Sequence, residues 1–177
     1  MILFTGPTGS GPAAAVCSIS DIVTLANPAD PASIDDPFAM GLDYGEILIG
    51  LDDTLRLYPV EGDDATSAQP LMKQHATGVV CFVPLDADDP IDVALAQLDG
   101  HGGLVRRRGA VVALTRHLDA DPMIVNRLID ALIERYPAAD IPVFTVDPWR
   151  RDQLGTALLA LIAGVESHAL LTSDIIG

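Results

Sequence analysis

The chain is expected to fold as an α/β protein with a doubly wound, mostly parallel sheet, and three observations lead there. A short apolar run, Ile2 to Thr5, passes through a glycine-rich turn into an alanine-rich helix former, Pro12 to Ser20. From Gly78 onward, apolar runs of strand length alternate with stretches of helical periodicity, the pattern that builds parallel strands joined by crossover helices. The 177 residues are 49% hydrophobic and 20% charged, enough apolar material for a packed core and too much for a disordered chain.

Taken in order, the first strand covers Ile2 to Thr5 and the first helix Pro12 to Ser20. A long turn-rich loop follows, through Asn27-Pro28 and Asp35-Asp36-Pro37. Leu42 to Ile49 and Thr54 to Val60 read as two strands of a hairpin turned at Gly50-Leu51-Asp52-Asp53. Glu61 to Gln69 is acidic and poor in apolar residues, so it reads as a second flexible loop, and Pro70 to His75 as a short helix or turn. Gly78 to Leu85 is a continuous apolar run suited to a central strand. Asp88-Asp89-Pro90 supplies a cap and first position for a helix over Ile91 to Leu98, which Gly100-His101-Gly102-Gly103 breaks. Ala110 to Thr115 is the next strand, and Asp121 caps a helix running to Tyr136. Ile141 to Val146 is the last strand and Arg151 to Ala163 the last helix; the tail 166–177 has no assignment. The expected sheet is doubly wound, with the hairpin adding one antiparallel strand, in a single domain spanning 1–177 with its core at 2–163.

The charge narrows the partners. Acidic residues outnumber basic ones 25 to 10, for a net −15, which repels phosphate backbones and anionic lipid, so neither nucleic acid nor membrane insertion is expected. The longest apolar run, around Ala157 to Val165, is too short to span a bilayer. Cys17 and Cys81 sit in apolar contexts and read as buried free thiols, consistent with a reducing cytoplasm.

The first turn has the frame of a phosphate-binding loop, G-x-x-x-x-G-K-[ST], with Gly6 and Gly11 at the required separation. Its chemistry is gone. Pro12 stands where the motif needs Lys and Ala13 where it needs Ser or Thr, removing the ammonium, one backbone N–H and the metal-holding hydroxyl. Losing two or three charge-assisted contacts of ~1.5–3 kcal/mol each would weaken phosphate binding by ~3–9 kcal/mol. Gly6, Gly9, Ser10 and Gly11 remain as a vestigial phosphate cradle. The only lysine is Lys73, although an arginine arriving from elsewhere is a substitute. A dinucleotide-fold reading of Thr5 to Gly9 fails for a reductase, because the residue four before Lys73 is Gln69 and not Tyr.

Several stretches, in this order, resemble the bacterial gliding-motility (MglA-like) branch of the small Ras-like GTPases. Phe4-Thr5-Gly6-Pro7-Thr8-Gly9-Ser10-Gly11 resembles its first loop and Ile19-Ser20-Asp21 the end of its first helix. Leu42-Asp43-Tyr44-Gly45 and Arg56-Leu57-Tyr58 resemble its second and third strands, and Val111 to Arg116 the strand before its guanine-reading motif. The resemblance implies a phosphate-loop, small-GTPase-like three-layer sandwich with six strands in the order 2-3-1-4-5-6, the second antiparallel, together with a roadblock-type protein partner and a bacterial signalling system. The departures fall at every chemical step. Phe38 and Ala39 replace the switch threonines, Asp63 the water-positioning Gln, and Asp119 stands one place out of register as a vestigial base-reading residue.

Elsewhere the residues suggest little chemistry. His75, His101, His117 and His168 show no metal-ligand spacing with the cysteines, and the paired aspartates match no calcium loop. Arg106-Arg107-Arg108 stands out in so acidic a chain and either solvates a strand entry or docks an acidic surface. Trp149 is expected to be a packing anchor. The function expected is a cytoplasmic pseudo-GTPase, a regulatory or scaffolding module acting through protein–protein contacts, without hydrolysis and with no cofactor. The alternatives are a residual GTP/GDP binder with Mg²⁺ and Lys-free phosphate recognition, and an unrelated α/β enzyme.

Overall fold

The structure is a computed structural model, and it describes residues 1–24, 44–51, 53–62, 72, 74–116 and 122–173. Seven strands form one sheet: β1 (Ile2–Gly6), β2 (Ile22–Thr24), β3 (Tyr44–Leu48), β4 (Thr54–Glu61), β5 (Gly78–Pro84), β6 (Ala110–Thr115) and β7 (Val143–Thr145). Their order is β2-β3-β4-β1-β5-β6-β7. β4, β1, β5, β6 and β7 run parallel to one another, whereas β3 pairs antiparallel with both β2 and β4.

One strand more than the expected six is present. Ile22-Val23-Thr24 is too short to show alternation in the sequence; pairing with Tyr44, Gly45 and Glu46 makes it an edge strand. The other six keep the order expected from sequence.

Among the described residues, the helices with assigned bounds are α1 (Pro12–Ile19), α2 (Pro90–Gly100), α3 (Gly102–Arg106), α4 (Pro122–Arg135) and α5 (Arg151–Ser173), which flank the sheet. Side-chain alternation along the strands sorts the core into two layers. Ile2, Phe4, Val80, Phe82, Val111 and Ala113 face α1 and α5, packing on Val16, Ile19, Leu154 and Leu161. Leu3, Val79, Cys81, Val83, Val112 and Leu114 face the other way, onto Ala94, Leu98, Leu104 and Leu128 of α2, α3 and α4. Burying each Leu or Phe contributes about 1.5–3 kcal/mol, so both sheet faces are anchored by their helices.

Local signals set the helix starts. The Asp89 carboxylate accepts from the Ile91 and Asp92 amides at 3.1 and 3.0 Å, with Pro90 at the first position. The glycine break after α2 does not end in coil: Gly102 to Arg106 make a further short helix, α3.

The last helix runs to Ser173, ten residues past its expected end, so most of the tail is helical. Its first half is buried through Leu154, Ala157, Leu158 and Leu161. Arg151–Thr172, with mean hydropathy 1.6, is long and apolar enough to cross a membrane by length and composition alone, unlike the shorter run counted from sequence. Cys81 is buried as expected, but Cys17 is exposed, because it lies on the outer side of α1 while Ala15, Val16 and Ile19 take the inner side. The short helix expected over Pro70 to His75 is described only at Met72, Gln74 and His75, which are helical.

Candidate functional site

The site is built where β1 ends. Gly6 pairs with Glu61 across the sheet, and its carbonyl accepts from the Gly62 amide at 3.0 Å. The chain then turns through Pro7 to Gly11, with the Ser10 amide donating to the Pro7 carbonyl at 3.0 Å. Gly9 and Gly11 have φ of 76° and 111°, the left-handed region where side chains are strained. Gly11 is held by a second constraint: a Cβ there would lie 2.5 Å from Cγ of Pro148. Gly11 caps α1 without a side-chain hydrogen bond, and Pro12 takes the first helical position.

The loop therefore keeps its strand–turn–helix shape, and its exposed amides point at a group the chain itself supplies. Glu61, the last residue of β4, reaches across the turn. Its Oε2 accepts from the Gly9 amide at 3.2 Å and its Oε1 from the Ala13 amide at 3.1 Å. A carboxylate bridging the turn and the N-terminus of α1 is seated favourably, since the amides there carry partial positive charge. Each such bond contributes up to about 3 kcal/mol, less in so open a position. Glu61 was expected to begin a flexible loop. It instead ends a strand, because the register that pairs it with Gly6 places it beside the turn.

On the other flank, Arg116 follows β6 with φ of 55°. Its Nη2 donates to the Gly9 carbonyl at 2.6 Å and its Nη1 to Asp86 Oδ2 at 3.0 Å. Thr115, buried, donates its hydroxyl to the Ser10 carbonyl at 3.1 Å. Gly9 is thus held on both backbone polar groups, the amide by Glu61 and the carbonyl by Arg116.

Of the residues expected to form a vestigial cradle, Gly6 lies within the sheet, Gly9 and Gly11 line the open side of the turn, and Ser10 turns inward. Ser10 is 2% exposed and its Oγ has no hydrogen-bond partner among the described residues. Asp119 lies outside the described residues, as do Lys73, Phe38, Ala39 and Asp63. Trp149 is not a packing anchor: it is 70% exposed and stands with Pro148 at the rim of a cleft of about 450 Å³. Gly9, Gly11, Ala13, Glu61 and Arg116 line the same cleft. The Asp147 carboxylate accepts from the Trp149 amide at 2.9 Å, an Asx turn that pushes the indole outward.

A second hollow of about 340 Å³ lies across β1, between Thr5, Pro7, Val60 and α2. Two of its polar side chains, Thr5 and Gln97, are engaged. Thr5 donates to Gln97 Oε1 at 3.2 Å, and Gln97 Nε2 donates to the Phe82 carbonyl at 3.1 Å. These bonds stitch α2 to the strand ends and leave little reach for a ligand.

Glu61, Arg116 and Trp149 are the site residues that sequence reasoning undervalued. The available signal for Glu61 was an acid closing the strand expected beside the first one. For Arg116 it was a basic residue directly after a buried strand.

Fold and site together define an α/β protein with a mixed seven-stranded sheet, helices on both faces, and a glycine turn between first strand and first helix. Among solved structures, the chain is similar to a bacterial selenocysteine-specific elongation factor, EF-Sec, with a TM-score of 0.58 and 13% sequence identity. The match covers 92% of this chain and 28% of that one; at this identity the likeness is one of fold. No protein-family model and no curated protein matches.

Proposed function

We propose that this chain is a pseudo-GTPase: a phosphate-loop, small-GTPase-like sandwich kept as a regulatory or scaffolding module that works through protein–protein contacts in the cytoplasm. The observation that carries this reading is Glu61. Its carboxylate takes the amides of Gly9 and Ala13, donors that an incoming phosphate would need. A phosphate would have to displace that carboxylate, overcome its charge, and bind without a Lys at position 12 or a hydroxyl at 13. The EF-Sec likeness supports the fold half of the proposal, and the gliding-motility resemblance supports a roadblock-type partner in a bacterial signalling system.

The rival reading, a Lys-free binder of GTP or GDP with Mg²⁺, draws on Arg116, whose guanidinium already lies on the loop. Calorimetric titration of the full chain with GTP, GDP and Mg²⁺ separates the two. The unmodified protein should bind no tighter than about 1 mM. Pro12→Lys/Ala13→Thr should gain little while Glu61 remains, and adding Glu61→Gln should bring measurable phosphate binding. Hydrolysis should stay absent in all of them. Micromolar GTP binding by the unmodified chain would overturn the proposal in favour of its rival.

A further inference from the structure

Among the described residues the nine arginines fall into five that pair with a carboxylate, one isolated and without an ion pair, Arg127, and a consecutive run of three. Arg56, Arg116, Arg135, Arg150 and Arg151 each sit within ion-pair distance of a carboxylate, Glu46, Asp86, Asp99, Asp152 and Asp21 respectively. Arg106, Arg107 and Arg108 are consecutive and make no ion pair among the described residues. In a chain with 25 acids to 10 bases, three adjacent guanidinium groups without an acid are the exception that needs a reason.

Their placement is set by the fold. Arg106 ends α3; Arg107 caps it, with Nε donating to the Gly103 carbonyl at 3.2 Å; Arg108 turns back into β6 with φ of 56°. The left-handed turn lets three successive side chains stay at the surface while Leu104, Val105 and Ala110 are buried on either side. Arg108 then forms one wall of a groove of about 260 Å³. The rest of it is Pro142 and Asp140 ahead of β7 together with Ala160, Ala163, Gly164 and Ser167 of α5. The small α5 residues allow close approach: a Cβ on Gly164 would lie 2.6 Å from the Arg108 carbonyl. This region shares no lining residue with the Glu61 cleft, so it stands independently of what the loop binds.

We infer that Arg106-Arg107-Arg108 and the adjoining α5 groove form a docking surface for an acidic segment of a protein partner. Guanidinium groups match carboxylates two hydrogen bonds at a time and shed water more readily than ammonium, so an arginine run favours carboxylate recognition. The groove beside them accommodates an aliphatic stem or small side chain of the same segment. Asp140 stands in the groove wall, and among the described residues it makes no ion pair with the run. The net −15 of the molecule opposes an anionic partner at long range, but at physiological salt charges more than ~8 Å away are largely screened, so the local arginines dominate the contact. An acidic protein segment is favoured over a lipid surface because the site pairs its charge with a concave groove, whereas a membrane would need a convex or flat apolar face.

Fluorescence anisotropy of a fluorescein-labelled decaglutamate peptide with the full-length chain tests this. Saturable binding that weakens with salt is expected, at least ten-fold weaker for Arg106→Glu/Arg107→Glu and unchanged for Arg127→Glu, an exposed arginine on α4. Arg106→Glu alone, which keeps the Arg107–Gly103 bond, should lose several-fold and guards against misfolding of the double variant, with circular dichroism confirming the fold. Equal binding by the double variant, or an equal loss in Arg127→Glu, would overturn the proposal. So would arginine-dependent binding to phosphatidylglycerol vesicles without peptide binding. Self-association at low salt that Arg106→Glu abolishes would replace the partner by a second copy of the chain.

Discussion

Cys17 and Cys81 carry the same thiol into opposite surroundings. Cys81 sits in the middle of β5 with both faces covered, and burial pushes its thiol up to about 12, against a weak lowering by the nearby Thr5 hydroxyl. Cys17 points outward from α1. A thiolate-specific reagent at neutral pH should therefore label one equivalent quickly, at Cys17, and reach Cys81 only on unfolding. Cys17→Ser should abolish the fast phase. Rapid labelling of two thiols in the native state would contradict the packing of β5. The same residue-scale logic governs Glu61, where a single carboxylate decides whether the glycine turn is an anion site or a finished piece of structure.

Among the elements, α5 shows how one helix can contain two glycines with opposite meanings. At Gly155 a Cβ would meet nothing within 4 Å, so Gly155→Ala gains helix propensity at no steric cost and should stabilise by about 1 kcal/mol. At Gly164 the added Cβ would press on the Arg108 carbonyl at 2.6 Å, a backbone atom that cannot swing away. Gly164→Ala should destabilise by about 1–3 kcal/mol despite the same propensity gain. Urea unfolding of the two variants checks both signs. If both stabilise, α5 does not lie against the α3–β6 turn as described.

At the scale of the molecule, stability should grade across the sheet. β5 and β6 are buried along their whole length and paired on both sides, whereas β2 is a three-residue edge with Ile22 and Val23 exposed. Native-state hydrogen exchange should find the slowest amides in β5, β6 and β1 and the fastest strand amides in β2. Uniform protection from β2 to β7 would mean that the edge is covered. The charge distribution belongs to this scale as well: arginines that neutralise acids elsewhere leave one unpaired run beside α5, and its binding measurements test whether that run is an interface.

What the sequence by itself determined was the periodic part. The apolar runs at Ile2, Gly78 and Ala110, the Asp89-Pro90 helix start and the Gly6–Gly11 turn were legible because each signal lies within a few consecutive residues. Six strands followed from that alternation and the hairpin signal, and their order from the small-GTPase resemblance. The loss of Lys and Ser/Thr at positions 12 and 13 was equally plain. Tertiary structure alone decided the rest, because it depends on which distant residues are brought together. β2 exists through its pairing with Tyr44 to Glu46, and the helix beyond Ala163 continues along the Arg108 turn and the groove beside Pro142. Cys17 and Trp149 face solvent because of the side of the helix and the turn they occupy. Glu61 meets Gly9 across a separation of 52 residues. A parallel sheet places the ends of remote strands side by side, and no local pattern in the chain records which carboxylate will arrive at which amide.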